Sequence, residues 1–264
     1  MMKRFSRFFL YGFILALVSG CSAAKVNNTL TPESTVQQLP LNIVATYPHD
    51  VQAFTEGLLF DRGALYESIG LTGHSAVRKV ELKSGKVLLE HRLPADVFGE
   101  GLALLNGNLL QLTWKKELAY LYHPDDFKQI GMRHYSGEGW GLTSDGKSWI
   151  SSNGSDTLTW RDEKTFAPQR TVQVTWNGNP VKNLNELEWI DGAVWANVWY
   201  ENWILQIDPR DGKVLSYIDI SSIVPRSADA EDVANGIAYD RKEKRIFITG
   251  KRWPVLYEIN IDKQ

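Results

Sequence analysis

The sequence holds one cysteine, Cys21, in 264 residues. A lone thiol excludes an internal disulfide framework and any cysteine-based metal cluster. Histidine is also scarce. His49, His74, His91, His123 and His134 are the full set, and no two stand at a ligand-like spacing. No metal is expected, and no other cofactor. Positive charge is not in surplus: Lys plus Arg is 29 against 31 for Asp plus Glu, a net charge of −2. A protein that grips phosphate backbones needs a basic surface, so nucleic acid is not an expected partner. The chain has no G-x-S-x-G elbow, no P-loop and no dinucleotide fingerprint. It has no convincing stretch of helix-period apolar residues, and its longest apolar run is too short to span a membrane as a helix. What is present is 10 Trp, 21 Gly and 10 Pro in a chain that is 43% hydrophobic. That composition is globular, with turns enough for a mainly β protein.

The first twenty residues read as an address. Lys3, Arg4 and Arg7 precede an apolar run from Phe8 to Val18, and Ser19-Gly20-Cys21 follows. A positive start, a short apolar core and small residues make a secretory signal. With the only cysteine just after it, the segment resembles a bacterial lipoprotein signal. The expectation is removal of 1–20, lipid on Cys21, and a domain exported and anchored at the cell envelope, facing the periplasm. Loss of the three basic residues leaves the mature chain at −5. Residues 21–41 are polar, contain Pro32 and Pro40, and read as a tether.

From about residue 42 the chain repeats weakly. Glu56-Gly57-Leu58 returns as Glu100-Gly101-Leu102, as Gly141-Leu142, loosely as Leu187-Glu188-Trp189, and as Asn235-Gly236-Ile237. With Gly57, Gly101, Gly141, Glu188 and Gly236 taken as equivalent, the spacings are 44, 40, 47 and 48. A turn signal follows each unit: Asp61-Arg62-Gly63, Asn106-Gly107-Asn108, Asp145-Gly146-Lys147, Asp191-Gly192 and Asp240-Arg241-Lys242. Short strand-like runs come next, at 64–68, 109–114, 148–152, 193–199 and 245–249. This period predicts an all-β chain folded as a five-bladed β-propeller over 42–264. A closed ring has no free sheet edge that demands a partner, so a monomer is expected.

In a propeller, loops at one end of the channel usually build the ligand site. Beside the repeated glycine stand Glu56, Glu100, Trp140 and Asn235, with Asn185-Glu186 in the fourth unit. Glu67, Trp114, Asn153, Trp199 and Lys251 end the following strands. Carboxylates beside aromatic surface suit proton transfer near neutral pH. Trp walls exclude water, and Asn and Lys supply oriented donors. Three readings fit this set: an enzyme moving a proton, a calcium-dependent lactonase-type propeller, or a non-catalytic envelope scaffold or sensor.

Nine segments then stand in order: Phe54–Leu58, Leu65–Ser68, Gly70–Ser75, Phe98–Leu102, Gln111–Trp114, Gly139–Leu142, Asn185–Trp189, Trp195–Trp199 and Thr249–Lys251. Together they resemble the glutaminyl cyclases of plant and bacterial type, the glutamine cyclotransferases. The resemblance covers about 45–260. It implies a five-bladed propeller that needs no metal. It implies conversion of the N-terminal Gln of a peptide or protein to pyroglutamate, with release of ammonia. It makes Glu100 the proton carrier. Lys251 and Asn185 hold the substrate or stabilise the developing oxyanion, and Trp114, Trp140 and Trp199 are the aromatic walls. Glu56 departs from the plant pattern, where Gln is expected. A second acid there either holds the α-ammonium or raises the pKa of Glu100, which leaves open how the two acids divide the work.

Overall fold

The computed structural model describes residues 36–262. The lipidation site Cys21 and the signal segment lie outside them. Among the described residues every regular element is a strand, and five four-stranded antiparallel units follow one another along the chain. The first blade is Thr55–Asp61, Ala64–Ile69, Ala76–Glu81 and Val87–Arg92. The second is Gly99–Leu105, Asn108–Thr113, Leu118–Tyr122 and Gln129–His134. The third is Leu142–Ser144, Trp149–Ser151, Thr157–Arg161 and Pro168–Gln173. The fourth is Leu184–Ile190, Ala193–Val198, Trp203–Ile207 and Val214–Asp219. The fifth takes Ala234–Asp240, Arg245–Gly250 and Val255–Asn260 from the end of the chain. Its outer strand is Asn42–Pro48, from the beginning. The ring therefore closes by zipping the start of the domain onto its end, so the propeller has no open blade interface.

The turn signals act as read. Arg62-Gly63, Asn106-Gly107 and Asp191-Gly192 all have positive φ at both residues. That is the two-residue hairpin turn whose twist matches the strands it joins. The core is divided: five apolar clusters fill the five joints between neighbouring blades. Trp149, Trp160, Trp176, Trp189, Trp195, Trp203 and Trp253 belong to these joints. Most tryptophans of this chain are therefore mortar between blades.

The first strands of the blades touch one another in cyclic order around the channel. This contact explains the repeated glycine. A Cβ on Gly57 would lie 2.5 Å from the Leu102 nitrogen, and one on Gly101 would lie 2.4 Å from that of Leu142. On Gly141 it would lie 1.9 Å from the carbonyl oxygen of Asn185. The inner strands pack backbone on backbone, and a rigid backbone cannot yield. Gly141→Ala is therefore expected to cost at least about 1–3 kcal/mol, the range of overpacked cores. A urea midpoint equal to that of the parent protein would refute this account of the repeat.

The fourth unit corrects the sequence alignment. Leu187 pairs with Ala196 as Leu102 pairs with Gln111 and Ile237 with Ile248. The residue standing where the others have glycine is thus Glu186, two positions before Glu188. Its side chain enters the channel, where its two oxygens accept the backbone N–H groups of Leu58 (3.1 Å) and Ile237 (2.9 Å). Glu186 is therefore a strut between the inner strands of three blades. Burial, helped by nearby Glu188, pushes its carboxyl well above the ordinary range.

At the other boundary, Gln37–Gln38 runs parallel to Ser216–Tyr217 on the outer edge of the fourth blade. Leu39 N–H donates to the Tyr217 carbonyl at 2.8 Å, and Leu39 and Leu41 pack on the joint between the fourth and fifth blades. The last residues of the expected tether thus lie against the propeller.

Candidate active site

Four of the five inner strands begin with an irregularity. Register shifts occur between Thr55 and Gly57, Gly99 and Leu102, Leu184 and Leu187, and Ala234 and Ile237. A bulge leaves a residue out of the ladder and re-aims its side chain, which is why bulges favour active-site rims. The residues so released are Glu56, Glu100, Asn185 and Asn235, and Trp140 holds the matching place ahead of the short strand Leu142–Ser144.

All seven residues that sequence reasoning placed in the site line one cavity of about 390 Å³: Glu56, Glu100, Trp114, Trp140, Asn185, Trp199 and Lys251. Phe54, Leu71, Phe98 and Glu231 complete its wall. Of the other candidates, Asn235 hydrogen-bonds Glu56 and Glu186 braces the channel, while two go elsewhere. Asn153 caps its own turn, accepting from the Ser155 nitrogen and hydroxyl. Glu67 is buried in a network with His49 (2.9 Å), Thr55 (2.8 Å) and Arg78 (2.6 Å). Burial pulls the Glu67 carboxyl up, but His49 and Arg78 outweigh it and hold it at about 2. The register shows why Glu67 is absent: Thr55 pairs with Ile69 as Gly99 pairs with Thr113. The first-blade counterpart of Trp114 is therefore Gly70. A Cβ there would meet the Phe98 ring at 2.5 Å and Glu56 Cγ at 3.0 Å, so the glycine makes room for the pocket.

The two acids on the floor differ in their bonding. Glu56 is fully engaged. Lys251 Nζ donates to its Oε1 at 2.8 Å, and Asn235 Nδ2 donates to its Oε2 at 3.0 Å. The pair is sealed, with side chains only 3% and 6% exposed. Lys251 also sits 4.5 Å from the centre of the Phe54 ring. Glu100 is buried too, yet among the described residues nothing hydrogen-bonds its carboxyl. Burial and the neighbouring Glu56 charge push it well above the usual carboxylate range, against the smaller pull of Lys251. The floor thus contains one locked acid and one free acid.

An aromatic collar surrounds them. Phe54, Phe98 and Trp114 meet edge to face, and Trp140 meets Trp199 the same way at 5.4 Å. Glu138, which the sequence reading passed over, joins the halves: its Oε2 accepts from both indole N–H groups, Trp114 at 2.8 Å and Trp140 at 3.0 Å. Burial pulls its carboxyl up, but these bonds and Lys115 together outweigh it and keep it below the ordinary value, hence ionised. Two polar atoms of cavity-lining residues have no partner among the described residues: the Asn185 side-chain oxygen and the Trp199 indole nitrogen are both buried and unsatisfied. Buried polar groups are normally paired, and an orphan in a pocket wall fits a place where a ligand supplies the partner.

A second cavity, about 410 Å³, opens among the hairpin turns at the far end of the inner strands. It contains Glu188, which burial raises to about 8, but none of the seven candidates. No cluster of three or more His, Cys, Asp or Glu arranged to hold a metal ion occurs among the described residues.

Comparisons with known proteins bear on the family and the fold. The family model described as glutamine cyclotransferase matches residues 13–261. The glutaminyl-peptide cyclotransferase of Arabidopsis thaliana is 40% identical over 227 residues, covering 84% of this chain and 71% of that protein. The crystal structure of Myxococcus xanthus glutaminyl cyclase superposes with a TM-score of 0.81 at 36% identity, covering 86% of this chain and 98% of that one.

Proposed function

The chain belongs to the glutamine cyclotransferase family, and from that membership we propose how its pocket works: one free carboxyl, Glu100, carries a proton between two nitrogens of the substrate. The overall reaction converts the N-terminal Gln of a peptide or protein to pyroglutamate and releases ammonia. The α-amine nitrogen bonds to the side-chain carbonyl carbon, and the bond from that carbon to the amide nitrogen breaks. The amine must shed one proton in the process, and the amide nitrogen must gain one to leave as ammonia. A carboxylate that accepts the first and returns it to the second balances the reaction and ends as it began.

The observation that carries the assignment is the contrast on the floor. Glu56 has both oxygens occupied, by Lys251 and Asn235. Among the described residues nothing bonds to Glu100, and its carboxyl is raised. An α-ammonium titrates at about 7.7–8.0, so a raised carboxyl lies nearer to it. Closer matching lowers the cost of transfer in both directions. Glu56 is then a holder, keeping Lys251 in place. The Lys251 ammonium and the Asn185 amide are the donors for the γ-carbonyl oxygen as charge develops there. The tryptophan collar encloses the aliphatic stem and fixes the ring-closing conformer.

Such proton transfer requires no metal, and the chemistry is acyl transfer from one nitrogen to another. Ammonia release from a Gln-headed dipeptide that persists in excess chelator tests both points. Abolition by chelator would show that cyclisation depends on a metal, and no release at all would favour a scaffold. Trp140→Ala is expected to raise KM about tenfold or more, from lost enclosure of the substrate stem, with a smaller change in kcat. A pure kcat effect would mean that Trp140 acts on the chemical step instead.

We propose further that Cys21 carries lipid after loss of 1–20 and anchors a monomeric, exported propeller to the envelope. Supporting this are the uniqueness of the cysteine and its place at the end of the apolar run. Cys21→Ala should move the mature protein from the membrane fraction to the soluble one. Retention in the membrane, unprocessed, would make the segment a signal anchor.

A further inference from the structure

The rim of the pocket carries acids of its own. Glu138 is committed, since two indoles donate to it and the Lys115 ammonium lies 3.7 Å away. Glu231 is different. It lies on the longest connection between blades, residues 220–233, and reaches the pocket wall from there. Its Oε1 accepts a hydrogen bond from the Tyr200 hydroxyl. Among the described residues it forms no ion pair. The nearby cation, Arg252, is taken by Asp229 and by Asp232, at 2.6 Å from the latter. Its negative charge is therefore uncompensated, and it is close enough to act on Glu56.

The position is also held firmly. Tyr200 stacks on Trp199 at 4.2 Å, with its backbone at a φ of +68°. A bulky residue pays for that conformation and keeps it only where the surroundings impose it. Arg252 fastens both flanks of Glu231 through Asp229 and Asp232. Glu231 is thus a fixed, half-exposed charge at the mouth.

A substrate has little choice of direction here. Its α-amine and γ-carbonyl must meet Glu100 on the buried floor. The chain beyond the Gln α-carbon must leave through the open side. Successive α-carbons are about 3.8 Å apart, so the second side chain passes the rim. We propose that Glu231, positioned by Tyr200, is a specificity-determining residue that reads the second residue of the substrate and favours Arg or Lys there over Asp or Glu. This deepens the cyclase reading and rests on it.

The test compares kcat/KM for three peptides that differ only at the second residue: Gln-Ala-, Gln-Arg- and Gln-Glu-. Partly exposed charges contribute modestly, so a preference for Gln-Arg- over Gln-Glu- of about three- to tenfold is expected at low salt. It should lie mainly in KM and fade in about 1 M salt, where the screening length is about 3 Å. Taken as a ratio within one enzyme, the preference should collapse towards unity in Glu231→Gln and invert in Glu231→Lys. A ratio near one in the unmodified protein, or one unchanged by salt or by Glu231→Gln, overturns the proposal. The salt series needs no variant, so it decides even if a variant fails to fold. Turnover of Gln-Ala- stands apart as the check on the cyclase reading: without it both fall, while with it and no charge preference only this inference does.

Discussion

Glu100→Gln is expected to lower kcat by about 10²- to 10⁴-fold, the usual worth of a positioned acid–base group, while the propeller remains folded. The amide keeps the size and reach of the carboxyl but cannot carry a proton. Nothing in the protein loses a partner, because among the described residues nothing is bonded to Glu100. Stability should even rise at neutral pH. The folded-state pKa of Glu100 is raised above its unfolded value by burial and by Glu56. Such a group costs the folded state nothing below the unfolded pKa of about 4.3, and the cost grows as pH rises from there towards the folded pKa. The variant should match the parent in acid and exceed it near pH 7. Glu56→Gln is expected to behave in the opposite way, with a smaller direct effect on proton transfer but a clear loss of stability, because Lys251 loses its counter-charge. Steady-state kinetics and urea melts on both variants separate the roles. A larger kcat loss in Glu56→Gln, with stability unchanged, would reverse the assignment. A loss below about threefold in both would rule out proton carriage by a floor carboxylate.

What the sequence disclosed follows from what repeats. Hairpin turns and inner strands recur in each blade for local reasons, so Asp-Arg-Gly or Asn-Gly-Asn followed by an apolar run was readable. The second strands appear within about a residue of their expected places, as at Ala64–Ile69 and Arg245–Gly250. The closing strand Asn42–Pro48 was invisible as part of the fifth blade, because its pairing is with Val255–Asn260 at the far end of the chain. The slip at Glu188 has a related cause. Where three inner strands touch through glycine, the fourth blade has the strut Glu186 instead, and nothing local says that a glutamate replaces a glycine. The site itself was legible because the inner-strand bulge recurs in four of the five blades, and the residue beside the repeated position is the one re-aimed at the mouth. Glu138 and Glu231 lie outside that logic, on connections between blades that do not repeat. Only the pairing of Glu138 with two indoles, and of Glu231 with Tyr200, exposes them. The Trp count was ambiguous for the same reason: Trp114 and Trp199 directly follow a second strand whereas Trp195 lies within one, and residue type does not tell them apart.

Lys251→Met should be the most damaging single change at the floor. Its ammonium and the Glu56 carboxylate lie 2.8 Å apart, with side chains almost wholly sealed. Removing one member of a buried pair strands the other charge, at a typical cost of about 3–5 kcal/mol. Asn235 still donates to Glu56, but a neutral donor cannot replace a cation. Burial already raises the Glu56 pKa with Lys251 present, and without Lys251 the folded state disfavours the carboxylate further. The damage should therefore be full near pH 7 and shrink as pH falls below about 4.3, where Glu56 is protonated in both folded and unfolded chains. In that range the parent protein itself carries a buried ammonium with no counter-charge, which narrows the gap from the other side. The double variant Glu56→Gln/Lys251→Met should recover most of the lost stability, since replacing a whole buried pair by neutral groups is often tolerated. It should not recover turnover, because the donor facing the γ-carbonyl is gone. Urea midpoints for the two single variants and the double variant at pH 7 and pH 4 give the coupling directly. A single-variant loss below about 1 kcal/mol at pH 7 would show that the pair behaves as a solvent-exposed one. The locked state of Glu56, and with it the choice of Glu100 as the free acid, would then fail.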